Sequence, residues 1–183
     1  MSAIFEKMPF SATRGIVRRF LGMVAVIACA QFATLTARAD DPEFLTFGAG
    51  VFDFSGKDTA GLISLEYVDD RKWLWALKPM TGFFINHHAG AYGYAGLALD
   101  LYFGRRWVVT PSFAPGLYYE GSSADLGHVV EFRSAVKVAY RLDDRSRIGV
   151  DISHISNAGL DKRNPGANQI MLIYSVPFSR DGK

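Results

Sequence analysis

The sequence predicts an all-β fold: an eight-stranded antiparallel transmembrane β-barrel of the outer-membrane type. Three observations carry that expectation. Beyond residue 39, no stretch is long and apolar enough to cross a membrane as a helix, which takes about 20 residues. Short alternating segments rich in glycine and aromatics recur instead, separated by charged turns. The single cysteine, Cys29, lies before residue 40, so an exported domain without disulfides needs another constraint, and closure of a sheet supplies one.

The first 39 residues read as a signal peptide and residues 40–183 as one barrel domain. Arg14, Arg18 and Arg19 precede an apolar run over residues 20–30, and Ala37-Arg38-Ala39 offers a small-residue cleavage site. Val26-Ile27-Ala28-Cys29 is the alternative, a lipoprotein site with lipidation at Cys29; the site just before Asp40-Asp41-Pro42 is the better match. The leader holds five of the 20 Lys/Arg and one of the 18 Asp/Glu, so residues 40–183 carry 15 and 17, a formal charge of −2. The basic balance belongs to the leader, and nucleic acid is not an expected partner.

A membrane-spanning strand needs about 9–11 residues, so eight of them fit easily within the remaining chain. The first is expected over 44–54, with a polar turn at 55–59, and the second over 60–68, ending at charged 69–72. The third, 73–86, contains Pro79, which removes a ladder donor and suggests a bulge. Residues 87–90 lead to the fourth strand, 91–103, and 104–106 to the fifth, 107–120, where Pro111 and Pro115 predict the least regular geometry.

After a small-residue acidic loop at 121–127, the sixth strand, from residue 130 to 142, has the clearest period of two. Val130, Phe132, Ser134, Val136, Val138, Tyr140 and Leu142 form one face, and Glu131, Arg133, Ala135, Lys137, Ala139 and Arg141 the other. In a small barrel that reads as apolar toward lipid and charged toward a polar interior, with Glu131, Arg133, Lys137 and Arg141 as an interior network. The seventh strand is expected over 146–156 and the eighth over 168–178. The eighth ends in alternating aromatics like an assembly signal, with five residues beyond Phe178. The links at 69–72, 104–106 and 143–145 are short and charged, as periplasmic turns should be; those at 55–59, 87–90, 121–127 and 158–167 fall on the outer side. Trp73, Trp75, Trp107, Tyr67, Tyr118 and Tyr119 lie near strand ends, where interfacial girdles sit.

Parity along the seventh strand places His154 and Ser156 on the face of Ile148, Val150 and Ile152, the lipid face. Asn168 shares parity with Ile170 and Leu172 on the next strand and comes within reach of His154. A polar cluster on such a wall is costly unless it is satisfied, and functional use explains it. A serine becomes a nucleophile when a neighbouring base takes its proton and a third group orients that base.

His154-x-Ser156-Asn157-Ala158-Gly159, followed by Asn164-Pro165-Gly166, resembles the lipid A 3-O-deacylase (PagL) family of outer-membrane barrels. The resemblance implies an eight-stranded barrel that hydrolyses an ester-linked acyl chain of lipid A, with lipopolysaccharide as substrate. It implies a setting in the bacterial outer membrane and no metal or organic cofactor; a homodimer is a further partner it leaves open. Ser156 then matches the nucleophile and His154 the general base. Asn164 matches the residue that holds the oxyanion, with Asn157 and Gly159 shaping the site. The family's acid, a glutamate, falls at Asn168, which can orient an imidazole but not stabilise its charge. Asp161 is a candidate substitute if its loop folds back. The alternative function is a non-catalytic barrel with a structural or lipid-binding role. Elsewhere, His87-His88 reads as a solvated loop with the two rings on opposite faces, and Asp69-Asp70 as a tight turn in preference to a calcium site.

Overall fold

The computed structural model describes residues 42–73 and 76–178. The leader with Cys29, Trp75 and the tail 179–183 lie outside the described residues. The elements are β1 (Glu43–Phe52), β2 (Ala60–Val68), β3 (Leu77–Asn86), β4 (Ala91–Leu99), β5 (Leu101–Phe103), β6 (Trp107–Tyr119), β7 (Val130–Arg141), β8 (Arg147–Ser156) and β9 (Ala167–Phe178). Every pairing is antiparallel, and β1 pairs with both β2 and β9. Both β4 and β5 pair with β6, so these two segments are one barrel strand and the sheet closes on itself as an eight-stranded barrel. Among the described residues closure leaves no free sheet edge, so the ladders satisfy most backbone polar groups of the wall within it.

The wall is apolar outside and polar inside. Ile63, Val136, Ile148, Ile152 and Leu172 are exposed, while Glu66, Lys78, Arg133, Lys137, Asp151 and Gln169 are buried. A soluble barrel would place these sets the other way round; this one presents its apolar face to hydrocarbon. The alternation expected on the sixth strand is the alternation of β7, where Glu131, Arg133, Ala135, Lys137 and Ala139 point inward.

The interior network has different partners from those expected. Arg133 binds Asp151 at 2.8 Å, both side chains 1% exposed. Lys137 binds Glu66, which also accepts from the Tyr94 hydroxyl. Asp100 joins Lys78, Arg147 and Thr110. Arg141 stands at the rim, and the Glu131 carboxylate has no hydrogen-bond partner among the described residues.

Prolines shape the ladder without bulges. Pro79 stays in register opposite Leu97, and its carbonyl accepts from the Asp69 N–H at 2.9 Å. Its nitrogen faces the same edge, where the β2–β3 ladder ends at Val68 and Met80, so the missing donor leaves little unpaired. On β6 the β7 side pairs continuously through Pro111 and Pro115. On the other side, the β4–β6 register runs from Leu97↔Phe113 and Ala98↔Ser112 toward Leu101↔Val109, which sets Pro111 opposite Leu99 and Pro115 opposite Ala95. Pairing lapses at both places, and the first lapse separates β4 from β5. The irregularity expected of the fifth strand thus falls on its neighbour.

Three other expectations need correction. β1 stops at Phe52 because Asp53 turns left-handed (φ 52°), a conformation aspartate tolerates, and its carbonyl accepts from Gly56 N–H at 3.0 Å. β3 begins at Leu77, with Trp73 joined to it only by an isolated bridge. Tyr118 belongs to the interior: it is 6% exposed and donates to the Ala124 carbonyl, while Tyr119 faces out, as adjacent strand residues must.

Candidate active site

The β8–β9 hairpin carries the polar cluster. In its register His154 stands directly opposite Asn168, and Ser156 opposite Phe132 of β7. His154 is exposed and its neighbour Ile155 is fully buried, which fixes the imidazole on the outward wall. His154 Nδ1 lies 2.8 Å from Asn168 Oδ1. The Asn168 amide nitrogen donates to Ser55 Oγ at 2.6 Å. Ser55 arrives there across the closure seam: Phe52 pairs with Gln169, and Phe54 N–H donates to the Asn168 carbonyl at 3.2 Å.

Ser156 ends β8, half-buried, and its hydroxyl has no hydrogen-bond partner among the described residues. Two residues apart on a strand, its Cα and that of His154 are separated by about 7 Å of rise, so the side chains must lean together to meet. Catalytic hydrogen bonds are often open before substrate binds. The pair that the structure joins is therefore His154 and Asn168, with Ser156 adjacent.

The following loop is tied down from within. The Asn157 side chain, fully buried, donates to the carbonyls of Leu126 and Arg163 and accepts from Gly159 N–H. It is a node beneath the site that joins two loops. Asn157 N–H donates to Asn164 Oδ1 at 3.0 Å, which commits that oxygen and leaves the Asn164 amide nitrogen as the end able to donate elsewhere. Arg163 also binds Asp125 at 2.7 Å across the two loops. Gly127 N–H, then Arg163, hold the Asp125 carboxyl below its usual range. Gly159 has φ +82°. Gly166, at φ +64°, passes so close to the imidazole that a Cβ there would sit 2.7 Å from His154 Cε1. Only glycine allows that approach.

Asp161 is exposed and accepts from Arg163 N–H at 3.4 Å within its own loop, with no hydrogen bond to His154 among the described residues. Asp151 is inside the barrel with Arg133. His87 and His88 occupy a turn, so their rings meet edge to face at 4.1 Å where opposite faces were expected. At the opposite end of the barrel, oxygens of Glu43, Asp69 and Asp70 lie within 4.8 Å of one another. Arg71 hydrogen-bonds both Asp69 oxygens and, against the opposing effect of burial, holds that carboxyl at about 2, so Arg71 already supplies the counter-charge there.

Sequence reasoning missed Ser55 and Gly166 as site neighbours. Gly166 was visible inside the Asn-Pro-Gly run. Ser55 carried no local signal, because its contact spans 113 positions and exists only once the barrel closes.

Comparison with known proteins places this geometry in context. Residues 62–177 match the model of the family described as Lipid A 3-O-deacylase (PagL). Over 77 residues, 41% of this chain, the sequence is 30% identical to the lipid A deacylase PagL of Bordetella bronchiseptica, and the match spans 43% of that relative's length. The crystal structure of the outer membrane enzyme PagL superposes with a TM-score of 0.59 at 15% identity, covering 74% of this chain and 99% of that one, a likeness of fold.

Proposed function

The chain belongs to the lipid A 3-O-deacylase (PagL) family of outer-membrane barrels, and from that membership we propose that it is a serine esterase removing the 3-linked acyl chain of lipid A. The observation that carries this reading is the hydrogen bond from His154 to Asn168 on the outward wall, beside Ser156. There an acyl ester held in the outer leaflet meets the side chains without leaving the membrane.

With the carboxamide oxygen on Nδ1, the imidazole keeps its proton there and offers Nε2 as the base. Ser156 Oγ adds to the acyl carbonyl carbon as its proton passes to His154 Nε2. The Asn164 amide nitrogen donates to the resulting oxyanion. The bond from that carbon to the sugar oxygen then breaks, and the leaving oxygen takes the proton from His154. Water attacks the acyl-enzyme, gives one proton to His154, and the collapse returns it to Ser156 with release of the free fatty acid. Asn168 orients the ring throughout but adds no negative charge, so turnover is expected below that of a member with a glutamate at this position.

Export follows the same reading: a leader ending at Ala39, with the mature chain starting at Asp40. Intact mass of the purified membrane form separates this from lipidation at Cys29. For the activity, purified protein in detergent is incubated with lipid A and the product weighed by mass spectrometry. Loss of one hydroxyacyl chain is expected. Unchanged lipid A from the wild-type protein would favour the non-catalytic barrel.

A further inference from the structure

The outward wall carries a second feature beside the catalytic cluster. Along the seam between β4 and β6, Pro115 stands opposite Ala95 and Pro111 opposite Leu99, and the ladder lapses at both. Proline has no N–H to give, so each lapse removes a bond that would hold the two strands together. Ala95 faces outward with only a methyl group, between the larger Leu97 and Phe113. The result is an open, apolar trough of about 730 Å³, with Trp73 at the end away from the catalytic cluster.

Register ties this trough to the site. Ser156 is opposite Phe132, and Phe132 is opposite Pro115. The trough thus opens on the same row of cross-strand partners as the nucleophile, two strands and roughly 10 Å away. From Pro115 to Pro111 it follows the strand for roughly 13 Å into the bilayer, as an acyl chain does when its ester sits at the outer rim. Between trough and nucleophile, the rings of Phe132 and Phe113 stack at 5.9 Å and 13° and form a ridge. We propose that the trough holds a second acyl chain of the lipid A molecule whose 3-linked chain is cut, with the stacked rings parting the two. This rests on the esterase reading above. Lipid A attaches several acyl chains to one disaccharide, so the chains of one substrate reach the wall together. A chain here lies in hydrocarbon whether bound or free, and the trough contributes packing and orientation in place of transfer from water. That gain falls to a lipid already anchored at Ser156, because its second chain is tethered beside the trough. A phospholipid has no such tether.

The test uses detergent-solubilised full-length protein carrying Ser156→Ala, which leaves the substrate intact. The probe is lipid A with a photoreactive diazirine in an acyl chain other than the 3-linked one. Peptide mass mapping is expected to place the cross-link on residues 95–99 and 111–115. Ala95→Phe, which fills the trough from an exposed position, should remove it. A phospholipid with the same diazirine should label the wall without that preference. With Ser156 in place, Ala95→Phe should lower kcat/KM on lipid A about 5-fold and change hydrolysis of a single-chain ester by less than about twofold. Ile63→Phe, the same ring at an exposed position on β2, should leave both rates unchanged. A lipid A cross-link spread over the wall, or equal labelling of the trough by phospholipid, overturns the proposal. So does an Ala95→Phe protein that loses nothing on lipid A, or loses as much on the single-chain ester. If the wild type deacylates nothing, the esterase reading fails, and the cross-link, which needs no turnover, still decides whether a lipid A chain occupies the trough.

Discussion

On β8, Asp151 and His154 stand three residues apart on opposite faces of one strand, and each is satisfied differently. Asp151 is 1% exposed and meets Arg133 inside the barrel, where two formal charges cancel. His154 faces out among Ile148 and Ile152 and meets an uncharged amide, itself held by an uncharged hydroxyl. Inside, charge pairs hold the wall together. Outside, hydrogen bonds alone order the polar groups on a surface made for hydrocarbon. A lone carboxylate there would have to be desolvated, and Asn168 removes that cost together with the charge an acid would lend to the base.

The comparison can be broken from either side, and the largest effect is expected on the outside. Ser156→Ala should lower deacylation on the order of 10⁴ or more and leave the urea midpoint unchanged, since the hydroxyl has no hydrogen-bond partner among the described residues. Inside, Arg133→Leu should cost about 3–5 kcal/mol in denaturant titrations of the lipid-embedded protein, because it strands Asp151. Replacing both partners with apolar residues should recover most of that loss. Leu172, 72% exposed on β9, tests the assignment of faces. Leu172→Arg should cost about 2–4 kcal/mol if that wall meets the bilayer, and close to nothing if it meets water. Gly166→Ala should be the smallest in stability, about 1–2 kcal/mol for the left-handed backbone, yet lower activity by displacing the imidazole. An active Gly166→Ala protein would show that the ring position tolerates the added methyl.

How far the sequence reached depends on the range of the physics involved. Local periodicity located β2 at its observed ends and set the two faces of β7 and β8, because side-chain alternation is a property of each strand by itself. The hairpin between β8 and β9 is short-range too, so parity was enough to bring Asn168 toward His154. Long-range features were out of reach. Which acid meets Arg133 or Lys137 depends on register between strands and across the lumen. The lapse between β4 and β5 is caused by prolines on another strand. Ser55 reaches Asn168 only through the β1–β9 seam. Tyr118 was legible and misassigned, since it and Tyr119 cannot share a face.

The central claim is that a hydroxyl on the lipid-facing wall is the nucleophile and His154 its base. A fluorophosphonate carrying an acyl tail, incubated with the detergent-solubilised protein and followed by peptide mass mapping, reads this directly. A single adduct on Ser156 is expected, absent in Ser156→Ala and strongly slowed in His154→Ala. No adduct, or one on another residue that survives Ser156→Ala, would contradict the account.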